Sequence, residues 1–313
     1  MKTLLYLTLV LLTGGCAFAQ PETTGAQWNV ILKVVDENDR PVAGANASVG
    51  YISKPLPGQV VEDSRDLSKE ISGLTDQDGI FTATHTDTSW SLGFDVQKTG
   101  YYPTRLTHDL YLPGQFDPDT VAKNRNPTIT IVLKKILDPI PMYAKRIRDN
   151  PPVLNRPIGY DLEVGDWVAP YGKGKVADIV FERDYNEQSP RDYHSKITVS
   201  FPNLSDGIQA NNNPFKIKEG SALKSLYNAP ENGYQQQLVR VIDSHSRQFD
   251  YNENRIYYFR VTLSDGPHYG KIYGDFMNFR YYLNPTPDSR NVEFDPKQNL
   301  FKGLSWRDEV SEP

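Results

Sequence analysis

At 313 residues the chain is long for a single hydrophobic core, so about two domains are expected. Its 34 Lys and Arg against 39 Asp and Glu leave a net charge of −5, which excludes the basic footprint of a nucleic-acid-binding protein. One Cys excludes a disulfide scaffold, and 19 Tyr, 23 Pro and 22 Gly point to a β-rich chain with many turns.

Residues 1–20 have the three parts of an export signal: Lys2, the apolar run Leu4–Leu12, and small residues before Gln20. The run is too short for a permanent membrane helix, which needs about 20 apolar residues. Ala17-Phe18-Ala19 fits ordinary signal peptidase. Leu12-Thr13-Gly14-Gly15-Cys16 resembles a bacterial lipobox, with the Leu one position too far from the Cys. Both processing routes stand as alternatives, with Cys16 as the lipidation candidate. Either predicts an exported protein of the periplasm, outer membrane or cell surface, touching a membrane only through a lipid anchor.

The first domain is expected over 27–135. Trp28–Val35 is a dense β-forming run closed by the turn residues Asp36-Glu37-Asn38-Asp39. Asn46–Ile52, Ile80–Thr84, Trp90–Val96 and Ile129–Leu133 supply further strands. Their spacing favours an antiparallel sandwich. Asp76-Gln77-Asp78-Gly79 has the beginning of a calcium loop, but Phe81 and Thr82 supply none of the further oxygen ligands. A tight turn between two strands accounts for it, and no metal or cofactor is expected.

The order Pro41-Val42-Ala43-Gly44-Ala45, Val49, Thr75-Asp76, Gly79, Phe81, then Lys98, Gly100 and Tyr101 resembles the carboxypeptidase regulatory-like domain. The match covers roughly residues 28–102 and departs from the pattern in insertions at Pro55–Ser72 and Thr107–Pro127. The resemblance implies a transthyretin-like β-sandwich acting as a structural module, not a catalyst.

Ile136–Arg156 holds four prolines and the basic cluster Lys145, Arg146 and Arg148, and reads as a stiff linker with one helical turn at Met142–Arg148. The cluster reads as a solvated surface. A second antiparallel β-domain follows over 157–313. Val164–Ala169 and Lys175–Arg183 flank the loop Tyr171–Gly174, His194–Phe201 alternates with Ile197, Val199 and Phe201 inward, and Gln237–Ser244 is another strand. Ser221–Tyr227 reads as a short capped helix. Three aromatic strands lie in Arg255–Leu283, where Gly266, Gly270 and Gly274 mark turns or bulges. Beyond Pro285 the chain is expected to drape over a sheet, pinned by Phe294 and Phe301. This part resembles uncharacterised exported bacterial proteins, a likeness that brings no activity.

Catalytic motifs are sparse. None of the five histidines stands in an H-x-x-x-H or H-E-x-x-H pattern, which removes the metallo-carboxypeptidase reading, and no G-x-S-x-G elbow or phosphate-binding loop is present. Asp178, Glu182 and Asp184 have the parity to share one strand face, so a polysaccharide-acting hydrolase built on these acids is the alternative function. The favoured reading is a non-enzymatic structural or binding protein of the cell envelope with a glycan or protein partner. Alternation in the aromatic strands places Tyr258, Arg260, Arg280 and Tyr282 together as an exposed aromatic-and-guanidinium face, the binding candidate. The same four are expected first as cross-strand neighbours that stabilise an ordinary outer face, because such pairs are common in sheets.

Overall fold

The computed structural model describes residues 27–52, 68–86, 91–109, 126–148, 151–189, 192–211, 220–243 and 255–313. The leader and Cys16 lie outside the described residues. The described chain is all-β, with one 3-10 turn at Pro296–Gln298, and none of its helical residues form a span long and apolar enough to cross a membrane.

Seven strands build the first sandwich: β1 (Trp28–Asp36), β2 (Asn46–Ile52), β3 (Ser68–Leu74), β4 (Ile80–His85), β5 (Ser91–Gln97), β6 (Thr104–Asp109) and β7 (Thr128–Leu133). They form one sheet in the order β4-β1-β7 and another in the order β3-β2-β5-β6. Alternation explains the packing. Val30, Leu32 and Val34 of β1 face Ala47 and Val49 of β2, with Leu92, Phe94 and Val96 of β5, all within one core. The ladders are antiparallel except β1–β7, which is parallel. Strands β3 and β6 fall where insertions are read from sequence. The Asp76–Gly79 turn closes on itself, because the Asp76 Oδ1 accepts from Asp78 N at 3.0 Å and Ile80 N at 2.8 Å. Gly79 sits at φ +73, where a Cβ would meet the Val34 carbonyl oxygen at 2.4 Å.

The second sandwich comprises β8 (Tyr143–Ile147), β9 (Ile158–Asp161), β10 (Asp166–Trp167), β11 (Ile179–Ser189), β12 (Asp192–Ser200), β13 (Gly207–Ala210), β14 (Gln237–Asp243), β15 (Ile256–Leu263), β16 (Gly266–Asp275) and β17 (Asn278–Leu283). One sheet runs β10-β9-β11-β12-β14 and the other β13-β15-β16-β17-β8. Phe181, Ile197, Val199 and Phe201 meet Tyr257, Phe259, Phe279 and Tyr281 in the core between them. Gly270 lies within β16, not at a turn; the Phe259 ring occupies the space a side chain would need, 2.1 Å from an ideal Cβ.

Several local expectations are corrected. Met142–Arg148 is not a helical turn but contains β8, because β17 offers its open edge and Ala144 and Ile147 bury against neighbours. Ser221–Tyr227 forms no helix; Ser221 instead bridges to Thr104, and Ala222 N donates to Pro103 O at 2.9 Å. The expected strand Val164–Ala169 reduces to the two residues of β10.

The main correction concerns the aromatic sheet. It is covered on both faces. Beyond the sandwich core, its second face carries Ile256, Tyr258, Tyr273, Tyr282 and Ala144 beneath Ala229, Val292, Phe294 and Val310. Tyr258 and Tyr282 are therefore fully buried, not exposed. Their hydroxyls stay satisfied: Leu226 N donates to Tyr258 at 2.7 Å, and Tyr282 donates to Glu312 O at 3.3 Å. Phe294 is buried in this second layer, while Phe301 packs against the sandwich core.

A polar join holds the two sandwiches. Glu293, 1% exposed, accepts from the Tyr102 hydroxyl at 2.7 Å, Leu137 N at 2.9 Å and Asp138 N at 2.7 Å. Beside it, the buried Lys134 ammonium donates to Ser225 O at 2.9 Å and the buried Lys271 ammonium to Ser225 Oγ at 3.1 Å. Lys271 also lies 4.9 Å from the Tyr273 ring centre and 4.7 Å from that of Tyr282. Burial holds its pKa well below that of an ordinary lysine, and the neighbouring Lys134 charge adds to the effect.

Candidate anion-binding cleft

The register of β8 against β17 sets Arg146 directly opposite Arg280, two residues along from the pair Ala144 and Tyr282. Both pairs lie on the sheet face that carries the second apolar layer. Under the cover the face is aromatic and apolar around the buried Lys271; at its end it becomes cationic. Arg148, two residues on, shares the parity of Arg146. Like charges directly opposite on adjacent strands repel, so the sheet keeps Arg146 beside Arg280 at a cost.

These side chains line a cleft of about 340 Å³ together with Lys224, Tyr273, Asn278 and Glu312. Four cations thus face one carboxylate. Glu312 lies 2.5 Å from Arg280 Nη1 and 4.0 Å from Lys224 Nζ. Lys224 comes from the irregular segment that covers the sheet, and Glu312 from the segment after the Ser305–Asp308 turn. The outer edge of β8 is closed by the same stretch: Asp308 O accepts from Arg146 N at 2.8 Å, and the Asn299 side chain bonds both Ala144 N and Ala144 O.

A second cleft, about 190 Å³, adjoins the first and shares Arg146 and Arg148, adding Lys145, Trp167 and Arg307 together with the acids Asp166 and Asp308. Trp306, 74% exposed, stands beside it with the Arg148 and Arg307 guanidinium groups 5.9 and 5.3 Å from its ring centre. The rim therefore offers cations next to an aromatic face.

The structure divides the four binding candidates. Arg280 lines the cleft, and Tyr282 lies beneath it with only its hydroxyl reaching the Glu312 backbone. Tyr258 belongs to the buried layer. Arg260 sits towards the other end of the sheet, 5.4 Å from the Tyr234 ring centre, and donates to Ser205 O. The candidate acids do not converge. Asp178 lies one residue before β11 and outside its alternation, buried, with its Oδ2 accepting from Leu162 N at 2.8 Å. Burial raises its pKa to about 6. Glu182 and Asp184 lie on the outward face of β11, where Asp184 pairs with Lys196 at 3.5 Å. None of the three lines either cleft.

Sequence reasoning set Arg146 and Arg148 aside as solvated charge and gave no role to Lys224 or Glu312. The spacing of Arg146 and Arg148 on a strand is a usable signal once that stretch is recognised as a strand. Nothing local to Lys224 or Glu312 marks them. Among the described residues, no three His, Cys, Asp or Glu side chains gather as a metal-ligand set.

No protein-family model matches the chain, and no curated protein matches it significantly. Among solved structures it is similar to 3-chlorocatechol 1,2-dioxygenase from Rhodococcus opacus 1CP, at 14% identity and a TM-score of 0.27 over 37% of this chain and 63% of that one. Catechol 1,2-dioxygenase from Acinetobacter sp. ADP1 matches at 10% identity and a TM-score of 0.26, over 38% and 55%. The major plantain pollen allergen Pla l 1 matches at 14% identity and a TM-score of 0.21, over 37% of this chain and 98% of that one. This chain spans less than two thirds of either dioxygenase. At these TM-scores the likenesses carry no conclusion about activity.

Proposed function

We propose that the chain is an exported, non-enzymatic binding protein of the bacterial cell envelope whose second domain takes a carboxylate-rich partner in the β8–β17 cleft. The observation that carries this reading is the cross-strand pair Arg146 and Arg280, reinforced by Arg148 and Lys224 and opposed, among the described residues lining this cleft, by Glu312. An anion entering the cleft relieves repulsion already present in the empty sheet, so binding gains what the fold gave up. The Trp306 rim supplies contact area of the kind that holds sugar rings or peptide side chains.

The leader over 1–20 supports export, and the turn order of 28–102 supports a carboxypeptidase regulatory-like module as the structural half. Cys16 is the acylation site if the lipobox route is taken; mass spectrometry of mature protein starting unacylated at Gln20 would end that proposal. The binding reading is tested by isothermal titration with oligogalacturonate and with oligoglutamate. Arg146→Gln is expected to weaken whichever binds by about tenfold, with affinity falling as salt rises. Equal affinity in wild type and Arg146→Gln would remove the cleft from the function.

A further inference from the structure

We infer that the outer face of the first sandwich carries a binding trough for a neutral sugar ring, floored by the cross-strand glycine pair Gly50 and Gly93. The trough lies on the β3-β2-β5-β6 sheet and shares no residue with either cleft of the second domain. Ala47, Val49 and Tyr51 of β2 and Leu92, Phe94 and Val96 of β5 point into the core, so Ser48, Gly50, Gly93 and Asp95 point out. The register sets Gly50 directly opposite Gly93, with Glu70 of β3 opposite Gly50 and Thr107 of β6 opposite Gly93. One row across the sheet thus has side chains at its ends and none in its middle. In the next row Asp95 stands between Ser48 and Arg105. These residues line a groove of about 300 Å³, at the lower end of the range for small-molecule sites.

The glycines carry the inference because the described packing does not need them. Glycine in a strand interior costs backbone entropy and packs nothing, so it marks a place where something comes close to the backbone. Gly73 on the adjoining strand is explained from within, since an ideal Cβ there would lie 2.7 Å from the Phe81 ring. Gly50 and Gly93 have ordinary φ. A Cβ at Gly93 would meet no described atom within 4 Å, and one at Gly50 would meet the Gly93 and Lys69 carbonyl oxygens at 3.7 and 3.9 Å, an ordinary contact. The space above the pair is therefore kept for a ligand. The walls say which kind. Asp95 Oδ2 sits 2.5 Å from Arg105 Nε and its Oδ1 accepts from the Gln97 side chain at 2.8 Å, which fixes carboxylate and guanidinium side by side. Planar acceptors and donors so held suit vicinal hydroxyls, which both give and take hydrogen bonds. The lining carries two carboxylates and one guanidinium, so it disfavours an acidic ligand where the β8–β17 cleft attracts one. A flat ring can lie on the two glycines while its hydroxyls reach Glu70 on one side and Arg105 and Thr107 on the other.

The test is affinity electrophoresis of the full chain in native gels holding dextran, laminarin, xylan or mannan, with polygalacturonate as the acidic counterpart, alongside thermal melts. At least one of the neutral glycans is expected to retard the wild type. Gly93→Thr puts a branched side chain on the floor of the trough. It is expected to weaken that binding by about tenfold while holding or raising the melting temperature, since Thr favours a strand and meets no described obstacle. Arg146→Gln is expected to leave the retardation unchanged, which separates this site from the β8–β17 cleft. Equal retardation of Gly93→Thr and wild type would overturn the trough. A lower melting temperature for Gly93→Thr would show that the chain itself needs the space, and would overturn it too. Retardation by polygalacturonate alone, or by none of the polymers, would overturn the neutral sugar as its ligand.

Discussion

A carboxyl group buried with one backbone N–H as its partner takes up a proton earlier than a solvated one as pH falls. Asp178 is such a group, with its pKa raised from 3.8 to about 6, chiefly by burial. The folded state then holds a proton that the unfolded chain has released. Stability should fall as pH rises from about 4 to about 6 and be flat above, by on the order of 2 to 3 kcal/mol. Asp178→Asn keeps an acceptor for Leu162 N and carries no charge, so its urea midpoint should lose that slope; parallel curves for the two proteins would refute the assignment. Lys271 has the opposite sense. Its ammonium is disfavoured in the fold and favoured in the unfolded chain, so stability should climb as pH rises towards the ordinary lysine value of 10.5. Lys271→Met, similar in volume, should flatten that climb in thermal melts while leaving the fold intact.

At the scale of elements, β8 is the strand whose existence changes most. Ala144 is fully buried on it, beneath the second layer and beside Tyr282. Ala144→Asp places an unpaired charge there and should cost about 3 kcal/mol or more, read as a loss of folded protein or a lowered urea midpoint. In a solvated connector the same change would be near neutral. The five strands of the first domain with strong alternation, and β11, β12 and β15 to β17, are legible because their own side chains carry the pattern. β8 is hidden because only Ala144 and Ile147 of its five residues bury, under a proline-rich composition that argues for a linker. Strands β3 (SKEISGL) and β6 (TRLTHD) are hidden for a related reason: their neighbours' ladders hold them, not their hydrophobicity. The same limit governs the cleft. Alternation puts Tyr258 and Tyr282 on one face correctly, but the cover comes from segments 222–234 and 284–313, which have almost no regular structure and so announce no packing partner.

At the scale of the molecule, Glu293 ties a first-domain tyrosine, the connecting backbone and the second domain through three hydrogen bonds in a water-poor site. Glu293→Ala leaves three donors without an acceptor and should cost about 3 to 5 kcal/mol. Tyr102→Phe removes one donor and should cost about 1 kcal/mol. Calorimetry should then show one transition for the wild type and two for Glu293→Ala, the first domain melting apart from the second. Retention of one sharp transition would mean that the join does not couple them.

The cover over the aromatic sheet also sets an order of events. Residues 28–133 contain every strand of the first sandwich, so that core can close as soon as Leu133 has cleared the ribosome or the translocation pore. The β15–β17 sheet has no such independence, because Tyr258 and Tyr282 stay wet until Val292, Phe294 and Val310 have followed. A chain emerging from its N-terminus would spend the last part of its synthesis with one folded half and one sticky half. Chains stopped after Leu283 and probed by pulse proteolysis should yield a resistant fragment from the first sandwich and rapid digestion of everything beyond it. A chaperone holding this nascent protein would find its binding site on the second face of that sheet.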